Sequence, residues 1–144
     1  MAKINVKVCK RADVDMPRQA HEGDAGTDIV IAEDVTLPPW GMATVPTGLA
    51  MEIPKGFVGL MFPRSGLATK NGVSLSNCVG VIDSGYRGEI GVPLINNNGR
   101  AVTLKAGERV AQMVFVRFSE PQYTEVDELT DSERGEDGFG STGR

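Results

Sequence analysis

Ile90-Gly91-Val92-Pro93-Leu94-Ile95-Asn96-Asn97-Asn98-Gly99-Arg100-Ala101-Val102-Thr103-Leu104 is the stretch on which the fold turns. Ile90, Val92 and Leu94 recur at every second residue. That spacing puts them on one face of a strand, because successive strand side chains point to opposite sides. Pro93 sits inside this run without an N–H to donate, which predicts a sheet edge or a bulge there. Asn98-Gly99 tolerates left-handed backbone and predicts a tight hairpin before the short apolar run at 101–104.

The same period recurs outward from this stretch. Ile4, Val6 and Val8 alternate with Asn5, Lys7 and Cys9. Leu49, Met51 and Ile53 alternate with Ala50 and Glu52 and stop at the turn signal Pro54-Lys55-Gly56. Residues 110–118 are apolar on both faces apart from Gln112 and, near the end, Arg117, the pattern of a buried core strand. Gln112 is then a polar group among Val110, Val114 and Val116 and needs a partner. Only residues 65–71 read as helical. With 18 glycines and eight prolines, the chain favours many short strands. The predicted fold is all-β, a jelly roll or similar closed sandwich, with no internal repeat.

A chain of 144 residues fits one domain with a substantial core, and 40% apolar with 24% charged residues is ordinary for a folded protein. No apolar stretch approaches the roughly 20 residues of a membrane helix. The first residues lack the apolar segment of a signal peptide. Cys9 and Cys78 are too few for a disulfide framework and suit a reducing cytoplasm. The net charge of −4 repels polyanions, which argues against nucleic-acid binding. A phosphorylated small molecule would need local arginines or a divalent cation to overcome that field.

From about Tyr123 the character changes, with seven acidic residues between Glu125 and Asp137 and glycines at the end. The expected division is a β core at 1–123 and a flexible C-terminal arm at 124–144. On composition alone the arm is a solvated tail. Phe139 resists that, a single aromatic within Gly138-Phe139-Gly140-Ser141-Thr142-Gly143. A flat ring among glycines and hydroxyls suits a loop that folds over a nucleotide, stacking on the base while amides hold phosphate.

Three further segments carry candidate chemistry. Pro63-Arg64-Ser65-Gly66-Leu67 puts an arginine, a hydroxyl and a glycine where the helix begins, a place suited to phosphate. For an isolated Arg-Ser-Gly, however, Ser65 as a simple N-cap is the commoner reading. In Asn77-Cys78-Val79-Gly80-Val81-Ile82-Asp83-Ser84-Gly85-Tyr86-Arg87-Gly88-Glu89-Ile90, Asp83 ends an apolar run and opens a glycine-rich turn. It is either a turn-capping aspartate or a general base, with Asn77 and Tyr86 touching the ligand. In Ala25-Gly26-Thr27-Asp28-Ile29, Asp28 is either a turn residue or a magnesium-linked carboxylate. The only histidine, His21, reads as an exposed loop residue, so a hydrolase built from these residues would use a carboxylate base. Zinc-type Cys/His spacing is absent.

Ala25-Gly26-Thr27-Asp28, Pro63-Arg64-Ser65-Gly66-Leu67-Ala68, the 77–89 segment, Arg109-Val110-Ala111-Gln112, and Arg134-Gly135 with the Phe139 segment follow one another in a fixed order. That order resembles the five-motif pattern of trimeric dUTPases, from about residue 20 to the end. The resemblance implies a distorted jelly-roll barrel in a homotrimer, with three active sites between subunits and the arm closing over one of them. It implies that Arg64, Ser65 and Gly66 bind phosphate, and that Gln112 lies near the phosphates. It makes Asp83 the group that orients and activates water, and Tyr86 the ring against deoxyribose that disfavours a 2′-hydroxyl. Asn77, the backbone of Val81 and Ile82, and the backbone at Gly91 would read uracil. Asp28 would reach Mg2+ through water, Arg134 would hold the γ-phosphate, Phe139 would stack on the base, and Gly140 and Ser141 would join the substrate contacts. Thr27 is smaller or more polar than usual, and Asp137 stands where the tail motif usually has glycine, adding a charge near the triphosphate.

The implied reaction is hydrolysis of dUTP to dUMP and pyrophosphate, in the cytoplasm of a cell or of a virus or phage host. It limits uracil incorporation into DNA and supplies dUMP for thymidylate synthesis. An anionic base beside a triphosphate requires magnesium and arginines to neutralise the phosphates. Uracil is chosen over cytosine because their hydrogen-bonding edges are inverted, so a backbone amide facing the wrong edge loses its partner. The competing readings are a dCTP deaminase, which shares the fold and phosphate turn, and a non-enzymatic member that binds a regulatory protein.

Overall fold

The computed structural model describes residues 3–136 and Gly138. In chain order the strands are β1 (Lys7–Lys10), β2 (Thr27–Val30), β3 (Val35–Leu37), β4 (Met42–Pro46), β5 (Leu49–Glu52) and β6 (Phe57–Pro63). After helix α1 (Ser65–Asn71) come β7 (Val73–Leu75), β8 (Gly80–Ile82), β9 (Gly91–Asn96), β10 (Val102–Leu104) and β11 (Arg109–Arg117). The fold is mostly β with one short helix, in a jelly-roll-like arrangement.

The apolar 110–118 run becomes β11, which lies between β2 and β6 in an antiparallel sheet completed by β8. Val110, Ala111 and Met113 are buried, whereas Val116 and Phe118 at its far end are exposed. A second sheet orders β4-β9-β7, and two-stranded pairs form between β1 and β5 and between β3 and β10. Ile29, Ile31, Leu37, Val45, Leu49, Ile53, Met61, Ile90, Val92, Leu94 and Met113 converge in one core. Each such side chain contributes about 1.5–3 kcal/mol by leaving water.

Ile90, Val92 and Leu94 face that core as their period demands. Pro93 lies in the central strand of its sheet, yet its nitrogen meets a local edge. Its carbonyl accepts from Ser76 N–H at 2.8 Å, just past the end of β7, so its nitrogen, which has no hydrogen to donate, faces the place where that strand has already ended.

Three expectations need correction. Asn98-Gly99 does not close a hairpin: β9 pairs with β4 and β7, while β10 pairs with β3. The chain changes sheets there because Asn96, wholly buried, ties the crossing down. Its Nδ2 lies 3.2, 3.0 and 2.8 Å from the carbonyls of Leu37, Pro38 and Arg100, and its Oδ1 accepts Asn98 N–H at 2.9 Å. Nor is Ser65 the N-cap of α1: Arg64 holds that position, without a side-chain cap, and Ser65 is the first helical residue. β1 also starts only at Lys7, because its partner β5 ends at Glu52 ahead of Ile53-Pro54.

Gly72 ends α1 in the left-handed region at φ 64° and donates to Ala68 O, as helix C-termini commonly require. Among the described residues no helix is long and apolar enough to cross a membrane. Cys9 and Cys78 are both free and exposed.

Candidate active site

Strand register assembles the first half of the site. Gln112 on β11 is the cross-strand partner of Asp28 on β2 and of Phe62 on β6, so three separate sequence segments meet at one sheet position. β6 then runs directly into Arg64 and α1. Asp28, Arg64, Ser65, Gly66 and Gln112 line one cavity of about 390 Å³ with Ala20, Asp24, Ala25 and Gly26.

Asp28 is only 15% exposed and lies between two guanidinium groups. Arg64 Nε is 3.1 Å from its Oδ1 and Arg109 Nη1 is 3.1 Å from its Oδ2. Arg64 Nη1 also donates to the Arg109 carbonyl at 3.1 Å. Gln112 finds the partner its apolar setting demands, since its Nε2 donates to the Pro63 carbonyl at 3.1 Å. Gly26 leaves room for that amide: a methyl group there would lie 2.5 Å from Gln112 Oε1 and push the side chain aside.

The second half is the loop between β8 and β9. Val81, Ile82, Asp83, Tyr86 and Gly91 line a smaller cavity of about 200 Å³ with Glu89 and Ile90. Several bonds hold the loop in shape. Tyr86 N–H donates to Asp83 O at 3.1 Å, the Tyr86 hydroxyl to Glu89 O at 2.9 Å, and Arg87 Nη1 to Ser84 O at 2.7 Å. Glu89 Oε1 accepts Gly48 N–H at 2.9 Å, and Arg11 Nη2 donates to Arg87 O at 2.9 Å, so both neighbouring segments brace the loop. Asp83 itself is exposed.

The two cavities share no lining residue. One gathers an arginine, a hydroxyl and an amide beside the carboxylates of Asp24 and Asp28, so its one guanidinium, Arg64, is held by Asp28 where it can also meet an anion. The other offers a carboxylate, a phenol and the backbone of the edge strand β8 beside an apolar wall. Asn77 lines neither; it sits in the turn ahead of β8, its carbonyl accepting Val79 N–H at 2.7 Å. Arg134 is exposed in a turn beyond β11 and also lines neither cavity. Phe139, Gly140, Ser141 and Asp137 lie outside the described residues. His21 is exposed, as its loop setting suggested.

Arg109 was without an assigned role in the sequence, although it heads the quoted Arg109-Val110-Ala111-Gln112 segment. A charged residue opening an apolar strand was the available signal, but only the fold shows that it reaches Asp28. Asp24 and Glu89 were missed likewise. Away from both cavities, the hydrogen bond from Lys105 holds the Asp34 carboxyl below the usual carboxylate range, and that from Lys7 does the same for Glu52. Among the described residues no group of three or more His, Cys, Asp or Glu side chains is placed to hold a metal ion.

The dUTPase family model matches residues 12–143. A deoxyuridine 5'-triphosphate nucleotidohydrolase of Thermobifida fusca (strain YX) is 52% identical over 132 residues, covering 91% of this chain and 74% of the relative. Among solved structures, a mutant dUTPase of Staphylococcus bacteriophage 80alpha with dUpNHpp superposes with a TM-score of 0.92 at 32% identity. The match covers 99% of this chain and 100% of that one. A mutant dUTPase from phage phi11 of S. aureus, described as revealing the coordination of a structural Mg(II) ion, gives 0.81 at 29% identity, covering 88% and 99%. With its β fold, its arginine-lined cavity and a match across nearly its whole length, the chain belongs to the dUTPase family.

Proposed function

We propose that the chain is a dUTP diphosphatase, hydrolysing dUTP to dUMP and pyrophosphate, and so limits uracil incorporation into DNA and supplies dUMP for thymidylate synthesis. The observation that carries this is the gathering of Asp28, Arg64, Ser65, Gly66 and Gln112 around one polar cavity, in the fold of a dUTPase solved with dUpNHpp.

The chain's own residues divide the work. Arg64, steadied by Asp28, supplies fixed positive charge to the phosphates, and Ser65, Gly66 and Gln112 add hydrogen-bonding groups around them. Asp83 takes the proton of a water or orients it for in-line attack on phosphorus. Tyr86 lies against the deoxyribose, and Asn77 with the backbone of Val81, Ile82 and Gly91 reads uracil. Arg134, Phe139, Gly140 and Ser141 belong to a C-terminal arm, residues 124–144, that covers the nucleotide and leaves 1–123 as the core.

The two cavities have no lining residue in common, which suits a site completed by a second subunit that brings its 80–91 loop to the Arg64 cavity. This supports a homotrimer with shared sites. For magnesium, Asp28 is the fitting contact. Its two oxygens already face arginines, which leaves lone pairs for water and little room for direct ligation, and the described residues offer no ligand cluster. Mg2+ bound with the triphosphate would meet Asp28 through water and neutralise phosphate charge. Two free, exposed thiols accord with a cytoplasmic setting, in the host where the source is a virus or phage.

Pyrophosphate release from dUTP, dCTP, dTTP and UTP, with and without Mg2+, tests the reading. Release from dUTP alone, dependent on Mg2+, is expected. Ammonia release from dCTP, or turnover of none of the four, overturns it.

A further inference from the structure

We propose that Gly88 is a positioning residue for sugar selection, because its missing side chain forms the seat in which the Tyr86 phenol lies. The inference rests on the role proposed above for Tyr86 and extends it to a residue given no part in the chemistry. A methyl group built on Gly88 would lie 2.5 Å from Tyr86 Cζ and 2.8 Å from Cε2, with the phenolic oxygen also in the way. The three nearest atoms all belong to that one ring. The Tyr86 hydroxyl reaches across Gly88 to donate to Glu89 O at 2.9 Å, so the ring is drawn down onto the glycine and tethered there.

The backbone at Gly88 gives no other reason for glycine. It is not among the residues in the left-handed region, so alanine suits its conformation. Tyr86 is 45% exposed and lines the same cavity as Asp83 and Gly91, so the ring has open space to swing into. Carbon atoms in contact prefer about 3.5–4.0 Å, so an added methyl drives the ring back by roughly 1 Å and breaks the tether to Glu89. The fold loses little, because the yielding atoms are the tip of an exposed side chain. The sugar pocket loses the position of its wall, and a 2′-hydroxyl gains space.

The experiment measures kcat/KM for dUTP and for UTP in the parent, Gly88→Ala, Tyr86→Ala and the double variant, with thermal unfolding of each. Gly88→Ala is expected to lower the dUTP-over-UTP ratio at least ~10-fold with the unfolding midpoint nearly unchanged. In the Tyr86→Ala background the same change should move the ratio less than ~2-fold, since the ring it displaces is gone. If Tyr86→Ala lowers the ratio and Gly88→Ala does not, the seat is refuted and the role of Tyr86 stands. If Tyr86→Ala leaves the ratio intact, the role of Tyr86 falls and Gly88 falls with it. An equal effect of Gly88→Ala in both backgrounds places its action outside the ring and overturns the inference. So does a Gly88→Ala chain that fails to fold, because the clash would then fall on the backbone.

Discussion

Asp28 shows how much a single carboxylate organises at this site. Both oxygens are engaged, one by Arg64 and one by Arg109, and Arg64 is the cation that lines the cavity proposed for phosphate. In Asp28→Asn the amide nitrogen would face one guanidinium as donor against donor, and the arginine loses its hold. The expected outcome is a KM for dUTP at least ~10-fold higher with a smaller change in kcat, because ground-state and transition-state phosphate binding suffer together. Thermal stability should change little, since ion pairs with partly exposed arginines are each worth about 0–1 kcal/mol. An unchanged KM would remove the clamp from the account. The residue types around Asp28 were legible in the sequence as separate motifs. Their contact was not, because Asp28, Arg64 and Arg109 meet only through the registers of β2, β6 and β11.

At the scale of elements, period-two alternation picked out β1, β5 and β9, the last buried on one face, and gave no reading of β3, β4, β6 or β7. The helical reading of residues 65–71 matches α1 to the residue, and Gly72 ends that short helix. The turn reading failed at Asn98-Gly99, where a good local turn pair joins strands of different sheets. The deciding group is Asn96, whose buried side chain binds backbone from residues distant in sequence, and no local pattern announces that. Asn96→Ala should therefore cost about 2–4 kcal/mol in urea unfolding, by leaving buried carbonyls at the crossing without donors. A loss under about 1 kcal/mol would mean that other contacts hold the crossing.

At the scale of the whole molecule, one chain carries an arginine-lined cavity and an aspartate-bearing cavity with no lining residue in common. The proposed working site joins the first from one subunit to the second from its neighbour. The measurement is dUTP hydrolysis by mixed trimers of two inactive chains, Arg64→Ala and Asp83→Ala, unfolded together in equal amounts and refolded. The assembled species should have three times the 15.4 kDa chain mass. Each variant alone should be nearly inactive. If sites are shared, about a quarter of the sites in random trimers pair an intact Arg64 with an intact Asp83 from the adjacent chain, and activity returns to about that fraction of the parent's. If mixed trimers are verified by mass and activity stays at the level of the separate variants, both cavities serve their own chain and the shared site is contradicted.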